Sequence, residues 1–383
     1  MTLHPHRLPF ALDPLVAEAK RRMRRRRFVA GLALVATASV AVAVTLCLRP
    51  GQPSGGSVSR RPAAVPNAVV YAGVPKPRTV SPLEASRPIW RARLDGSHAV
   101  RLTMGHDPAV SPDGRWVTFS RGAHLLLMPA AGGPAKVVYT FTGKWADAGT
   151  NGDTPTWAPD SRHLAFLGLS VGWVILDRLS RQHGVLLQGA GDVAFSPSSQ
   201  KIVYSMRDRE GFDLYERSVH GGTPVRLTHD GKSGSPAWGK LGIAFTREYV
   251  GPGGHLHGGI WLRDARTHRI RQLYTGASTY PAFFSANGNE LLARSVYPAA
   301  LGCCERLWAI DVATGVKRPL TPRWSDVSPL GMSADGSTVL AGIGCNGPKR
   351  SGYTETIPFA GGKPHVILRG PRDRGPCQAS WNR

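Results

Sequence analysis

The chain has 383 residues, 42% of them hydrophobic, with 45 Gly, 31 Pro and only 19% charged positions. That apolar content is enough for a core and excludes a disordered chain, while the Gly and Pro load calls for many turns in one large domain or two ordinary ones. The formal charge of +23 is strongly basic, and nine of the Lys/Arg fall in residues 1–50 against only Asp13 and Glu18. Most of the surplus therefore lies beyond that segment, where scattered Arg sets solubility and association rate more than a single site.

Residues 1–27 form a basic segment in which LDPLVAEAKRRM predicts a short helix, with Asp13 as N-cap and Pro14 at the first helical position. From Phe28 to Leu48 runs FVAGLALVATASVAVAVTLCL without a charge. A helix of that length, rising about 1.5 Å per residue, matches a hydrocarbon core of about 30 Å. KRRMRRRR precedes it and few cations follow, so the expected arrangement is one transmembrane helix at 28–48. The N-terminus is then cytoplasmic and the remainder extracytoplasmic, with the protein in the cell membrane as a single-pass protein. A cleaved export signal is the alternative, with Arg25-Arg26-Arg27-Phe28 and a small-residue site at Ala41-Val42-Ala43. Residues 49–67 are Pro/Gly/Ser-rich and predict a flexible linker.

An internal repeat begins after the linker. Its openings are DPAVSPDGRWVTF (107–119), TPTWAPDSRHLAF (154–166), DVAFSPSSQKIVY (192–204), SPAWGKLGIAF (235–245), YPAFFSANGNELLA (280–293) and SPLGMSADGSTVLA (328–341). Each continues with a second pair of strands, as in FDLYERSVHGGTPVRLT and LWAIDVATGVKRPLT. Four short strands per unit, at spacings of 38 to 48 residues, are the signature of a β-propeller blade. Before the first full unit, AVVYAG (68–73), IWRARLDG (89–96) and AVRLT (99–103) supply three strands without an opening one. CQASWNR at 377–383 supplies the missing strand. The expectation is thus an all-β, seven-bladed propeller of four-stranded blades over residues 68–383, its ring closed by the C-terminal strand. Closure from both ends leaves no open ring edge.

The repeat resembles that of the TolB-like propellers, a WD40-like β-propeller family. Its marks are a first strand ending P-x-W/F-S-P-D-G, an apolar second strand, and a G-G-x-x-x-x-L-T ending. The match is strongest at Pro108 to Gly114, Pro155 to Asp160 and Gly221 to Thr228. It is degenerate at Gly239 to Gly242, where the Pro-Asp turn is lost. TolB carries an α/β domain before its propeller, and nothing comparable is expected here, so its partners do not transfer. The resemblance implies a bacterial envelope context, and some relatives of this type are metal-assisted polysaccharide lyases.

The recurring carboxylates Asp113, Asp160 and Asp335 occupy the turn between first and second strands, with Ser198 and Asn287 in comparable places. Pro fixes φ and Asp suits the turn, so these residues are expected to be structural rather than catalytic. Cys303, Cys304, Cys345 and Cys377 are disulfide candidates: they fall in loops of one propeller face, in an oxidising compartment. Cys345 with Cys377 is one pairing, with Cys303 and Cys304 then in a vicinal bridge or reduced, and Cys303 or Cys304 with Cys345 is the alternative. His255 and His257, in GPGGHLHGG, are weak metal candidates, because no carboxylate or third His stands near them in the sequence. Trp145 has no equivalent in other units and is a possible ligand contact by stacking, whereas Trp157, Trp238 and Trp381 sit at first-strand positions and read as core.

No nucleophile elbow, zinc-protease helix, Walker loop or dinucleotide fingerprint is present. The reading is therefore of a membrane-anchored extracytoplasmic binding or scaffolding module. Its expected partner is an envelope protein or an anionic cell-wall polymer, with no nucleic acid, no cofactor and no assigned catalytic residue. The alternative is a propeller enzyme, a metal-assisted polysaccharide lyase or a hydrolase, with its site at the mouth of the central channel.

Overall fold

The computed structural model describes residues 61–65, 68–72, 86–143, 150, 154–168, 172–179, 185–251, 256–276, 278–296, 305–322, 327–333, 335–343, 353–369 and 379–381. All of these lie in the compact unit Arg60–Arg383. Every regular element among them is a β-strand. No helix among the described residues is long and apolar enough to cross a membrane. The span expected over 28–48 and the basic segment 1–27 lie outside the described residues.

The first sheet contains β1 (Ala68–Ala72), β2 (Arg87–Arg93), β3 (Val100–Val110), β4 (Trp116–Arg121), β5 (His124–Pro129) and β6 (Lys136–Thr140). The second holds β7 (Thr156–Trp157), β8 (His163–Gly168), β9 (Gly172–Asp177) and β10 (Val185–Leu187). The third holds β11 (Ala190–Phe195), β12 (Lys201–Arg207), β13 (Phe212–Ser218) and β14 (Gly221–Arg226). In the fourth are β15 (Ser233–Gly239), β16 (Gly242–Val250), β17 (Leu256–Asp264) and β18 (Ile270–Thr275). The fifth has β19 (Thr279–Phe284), β20 (Glu290–Val296), β21 (Glu305–Asp311) and β22 (Lys317–Pro319). The sixth has β23 (Val327–Met332), β24 (Thr338–Ile343), β25 (Tyr353–Pro358) and β26 (His365–Arg369). The last strand, β27 (Ala379–Trp381), joins the first sheet beside β1.

The ring closes as the split unit requires. β27 pairs antiparallel with β1 through Val69↔Trp381, Val70↔Ser380 and Tyr71↔Ala379. Around the axis the first strands follow one another: β11 approaches β15, β15 approaches β19, β19 approaches β23, and β23 approaches β27.

The blade count differs from the expected seven. The strands make six sheets, five of four strands and one of seven in the order β27-β1-β2-β3-β4-β5-β6, so the propeller is six-bladed. The cause is β3. Its first half pairs with β2 from Arg87↔Gly105 to Arg91↔Val100, and its second half pairs with β4 at His106↔Ser120, Ala109↔Thr118 and Val110↔Val117. Met104, Gly105 and His106, between the AVRLT strand and the DPAV opening, stay within the strand, so the two expected blades fuse into one sheet. Gly105 sits at the join. A Cβ there would lie 2.6 Å from Phe119 Cδ2 and 2.7 Å from the Ser120 carbonyl oxygen.

Packing between sheets is apolar. Ala109, Leu125 and Leu127 of the first sheet meet Trp157, Leu164, Phe166 and Leu176 of the second. Trp157 is buried, as its first-strand position predicts, and its Nε1 donates to Ala109 O at 3.2 Å. Each fully buried side chain of this kind, such as Phe119, Phe166 or Phe245, contributes about 1.5–3 kcal/mol.

The recurring turn carboxylates act on backbone. Asp113 Oδ1 accepts from the Ser111 hydroxyl at 2.6 Å and from Arg115 N at 3.1 Å, and Asp335 repeats the pattern with Ser333 and Ser337. The Ser333 hydroxyl, with the Ser337 N–H and hydroxyl, holds the Asp335 carboxyl down at about 2. The following position is left-handed, occupied by Gly114, Gly288 and Gly336 but by Ser161 and Ser199 in two units. Those serines join neighbouring sheets: the Ser161 hydroxyl accepts from Asp113 N at 2.9 Å, and the Ser199 hydroxyl from Asp160 N at 3.0 Å. Val65, within the expected linker, donates its N–H to Gly114 O at 2.9 Å.

Candidate functional site

First strands of this propeller are not straight ladders. A register shift interrupts the pairing between His106 and Ala109, Ala190 and Val193, Gly234 and Ala237, Pro281 and Phe283, and Pro329 and Gly331. In four of the five a proline stands at the shift (Pro108, Pro236, Pro281, Pro329), and proline has no N–H to give to a ladder. The result is a bulge, which re-aims side chains next to it. Asp107, Asp192, Ser235, Tyr280 and Ser328 occupy the repeat-equivalent position, so the scaffold repeats while the group presented changes. Two neighbours touch: the Ser235 hydroxyl donates to Asp192 Oδ2 at 2.8 Å. These bulges lie towards the end of the propeller that also carries the loops between second and third strands.

The bulge in β3 builds a buried polar group. Asp107 is fully buried, and its backbone is left-handed at φ 50°, a conformation that costs a non-glycine residue free energy and concentrates at functional positions. Its Oδ2 lies 2.9 Å from His106 Nδ1 and accepts from the Thr150 hydroxyl at 2.7 Å. The Thr150 hydroxyl is in turn 2.9 Å from that of Ser120. His106 is buried as well, and its Nε2 has no hydrogen-bond partner among the described residues. With Nδ1–H directed at the carboxylate, Nε2 carries the lone pair and can accept a proton or a ligand.

In the fourth sheet the hairpin of β16 and β17 is longer than its counterparts and pairs out to Tyr249↔His257 and Val250↔Leu256. Tyr249 is 47% exposed and Val250 70%. The Tyr249 ring stacks on His257, with centroids 5.6 Å apart and planes at 20°, and Lys232 Nζ lies 4.8 Å from the Tyr249 ring centre. Lys232 bridges to Phe212, 41% exposed, whose ring carries the Arg207 guanidinium at 5.9 Å. Arg207, Phe212, Lys232, Tyr249, Val250 and His257 thus form one strip of aromatic, cationic and aliphatic groups.

Near its tip the hairpin is held by the Glu248 carboxylate. Glu248 Oε1 accepts from Ser278 N at 2.5 Å, and Tyr280 donates its hydroxyl to Glu248 Oε2 at 3.4 Å. Burial, with the Glu248 charge, pushes the Tyr280 hydroxyl above the usual tyrosine range. In the third sheet Asp213 of β13, fully buried, accepts from the Thr228 hydroxyl at 2.7 Å, from Arg226 Nη2 at 2.5 Å and from Asp230 N at 3.1 Å. Burial alone would raise the Asp213 carboxyl; the Thr228, Arg226, Asp230 and Gly231 donors outweigh it, so the carboxyl titrates below its ordinary range.

Of the metal, disulfide and ligand-contact candidates named from the sequence, His257 is the one whose side chain is described, and it belongs to the aromatic strip. His255, Trp145, Cys303, Cys304, Cys345 and Cys377 lie outside the described residues. No group of three or more His, Cys, Asp or Glu side chains placed to share a metal ion occurs among the described residues. His106 with Asp107 went unmarked in the sequence because a His-Asp dipeptide carries no spacing signal; the positive φ and the bulge give it meaning.

Neither a family model nor a curated protein matches the chain. Solved propellers do resemble it. The β-propeller domain of the Trilobed protease from Pyrococcus furiosus superposes with a TM-score of 0.57 at 14% identity, over 79% of this chain and 94% of that one. An oligogalacturonate lyase in complex with manganese gives 0.50 at 15% identity, over 79% and 85%. TolB from Acinetobacter baumannii gives 0.47 at 14%, over 82% and 83%. At these identities the likeness is one of fold.

Proposed function

We propose that this propeller is a binding module that holds an acidic partner, an envelope protein or an anionic polymer, on the face carrying the β16–β17 hairpin. The observation behind the reading is the strip from Arg207 to His257. It combines exposed aromatic rings, an aliphatic tip at Val250, and two cations already placed over rings. Aromatic and Arg groups concentrate binding energy at interfaces, and a basic rim raises the encounter rate with an anion.

The test replaces Tyr249 by Ala and, separately, reverses Lys232 with Glu. Binding is read by calorimetry against polygalacturonate and poly-glutamate, and a photocrosslinker at position 249 reports the partner in native membranes. Tyr249→Ala should weaken binding about tenfold or more, and Lys232→Glu should also remove much of its salt dependence. Unchanged affinity in both variants, with unfolding midpoints preserved, would refute the reading.

One observation favours an enzymatic second reading, namely the buried His106–Asp107 pair with its free Nε2. A carboxylate-held imidazole is the arrangement of a general base. If the propeller cleaves a polymer, His106→Gln should abolish the release of fragments while leaving polymer binding intact.

A further inference from the structure

At the opposite end of the propeller, where first strands turn into second strands, a second imidazole is held by a carboxylate. His163, the first residue of β8, is 3% exposed. Its Nδ1 lies 2.6 Å from Asp160 Oδ2. Asp160 cannot swing away, because Oδ1 accepts the N–H of Arg162 at 2.8 Å and of His163 at 3.0 Å. The Nδ1 proton is therefore committed to Asp160, and the lone pair falls on Nε2. That atom is buried and has no hydrogen-bond partner among the described residues.

The third sheet presents a second imidazole there. His220 stands in the exposed turn between β13 and β14, next to the buried Val219, which packs among residues of the second and third sheets. The rings of His163 and His220 have centroids 5.4 Å apart with planes at 75°. Two imidazoles binding one ion through nitrogen at about 2.1 Å, at a tetrahedral angle, have ring centres about 5 Å apart. A carboxylate on the far nitrogen is the usual support of a metal-bound histidine, since it fixes the tautomer and the ring direction. Asp177, opposite His163 in the ladder, is already engaged by Arg162 at 2.5 Å and Leu179 N at 2.9 Å.

We infer that His163 and His220 form a two-histidine site for a borderline divalent cation of the zinc, nickel or copper type. The cation would bridge the second and third blades, with water filling the rest of its shell. Borderline metals follow from imidazole as the donor. The site is separate from the hairpin face, so its fate and that of the binding reading are independent.

Zinc alone is the probe, titrated into the purified full chain by calorimetry, alongside unfolding midpoints with and without zinc. His220 lies in an exposed turn, so His220→Ala should leave the zinc-free midpoint unchanged. It should also remove one equivalent of zinc binding and the zinc-dependent rise in midpoint, about 5 °C at saturating metal. Asp160→Asn should weaken zinc about 10- to 100-fold through the loss of positioning. Lower pH should release the ion, because protons compete for the same nitrogen lone pairs. An edge-to-face packing contact only, with the zinc stoichiometry and midpoint of His220→Ala equal to those of the parent, would overturn the inference.

Discussion

Replacing Asp213 by Asn tests whether buried charge fixes the loops of the hairpin face. Asp213 is fully buried, and its oxygens accept from Thr228 Oγ1, Arg226 Nη2 and the N–H groups of Asp230 and Gly231. An amide of the same shape must turn an NH2 towards one set of donors. Hydrogen bonds to a charged group contribute about 1.5–3 kcal/mol each. Arg226 is not left unpaired by the change, because Asp208 stands 3.1 Å and Glu210 3.7 Å from its Nη2. That remaining pairing keeps the loss below the upper range for a broken buried pair, so about 2–4 kcal/mol is expected at neutral pH. The sign with pH follows from the lowered folded-state carboxyl. Its contribution is complete above the unfolded value near 3.9 and is lost as pH falls through the folded value. Urea unfolding of parent and variant should therefore show a gap at pH 7 that narrows steadily below about pH 4. A variant within about 0.5 kcal/mol of the parent at pH 7, or a gap indifferent to acid, would refute the reasoning.

Gly105→Ala should destabilise by about 3 kcal/mol, since the added carbon meets Phe119 and the Ser120 carbonyl oxygen where two ladders join; denaturant unfolding measures it, and a loss under about 0.5 kcal/mol would mean that β3 is not continuous there. Ser161→Ala leaves Asp113 N without its hydroxyl acceptor in the adjacent sheet and should cost about 1 kcal/mol by the same assay. Glu355, buried in β25, has its carboxyl raised by burial, so its contribution to stability is present below the unfolded value and is lost as pH rises through the folded one. Glu355→Gln should accordingly gain about 1 kcal/mol at pH 7 and nothing at pH 4, read from unfolding midpoints across pH.

The four-strand unit, its turn chemistry and the closure from both ends were legible because each is a local pattern repeated at fixed offsets. Gly114 donates its N–H to Ser111 O and Gly336 to Ser333 O, the same turn closure in blades far apart in the chain. The blade count was not legible by the same route. It depended on whether the chain leaves the sheet between Thr103 and Asp107, and counting openings cannot see a ladder that never breaks. The candidate sites were less legible still. His106 with Asp107 and His163 with His220 are paired by a bulge and by the contact of two sheets, so neither pair has a spacing to search for.

Proline at the bulge links scaffold to function. A proline in a first strand has no N–H to give to the ladder, and at Pro108 and Pro236 the preceding residue, Asp107 or Ser235, falls inside the register shift. The position before the bulge differs from blade to blade, carrying Asp107, Asp192, Ser235, Tyr280 and Ser328, of which Tyr280 and Ser328 stay paired with Arg294 and Gly342. The third blade has Val193 where the others have proline, yet the register still shifts, so the bulge belongs to the repeat and proline enforces it. Replacing Pro236 by Ala should then leave the register shift of β15 in place, with the Ser235–Asp192 contact surviving. Were that contact to vanish, with Ser235 returning to the ladder in hydrogen exchange, proline alone would be setting what the channel mouth displays.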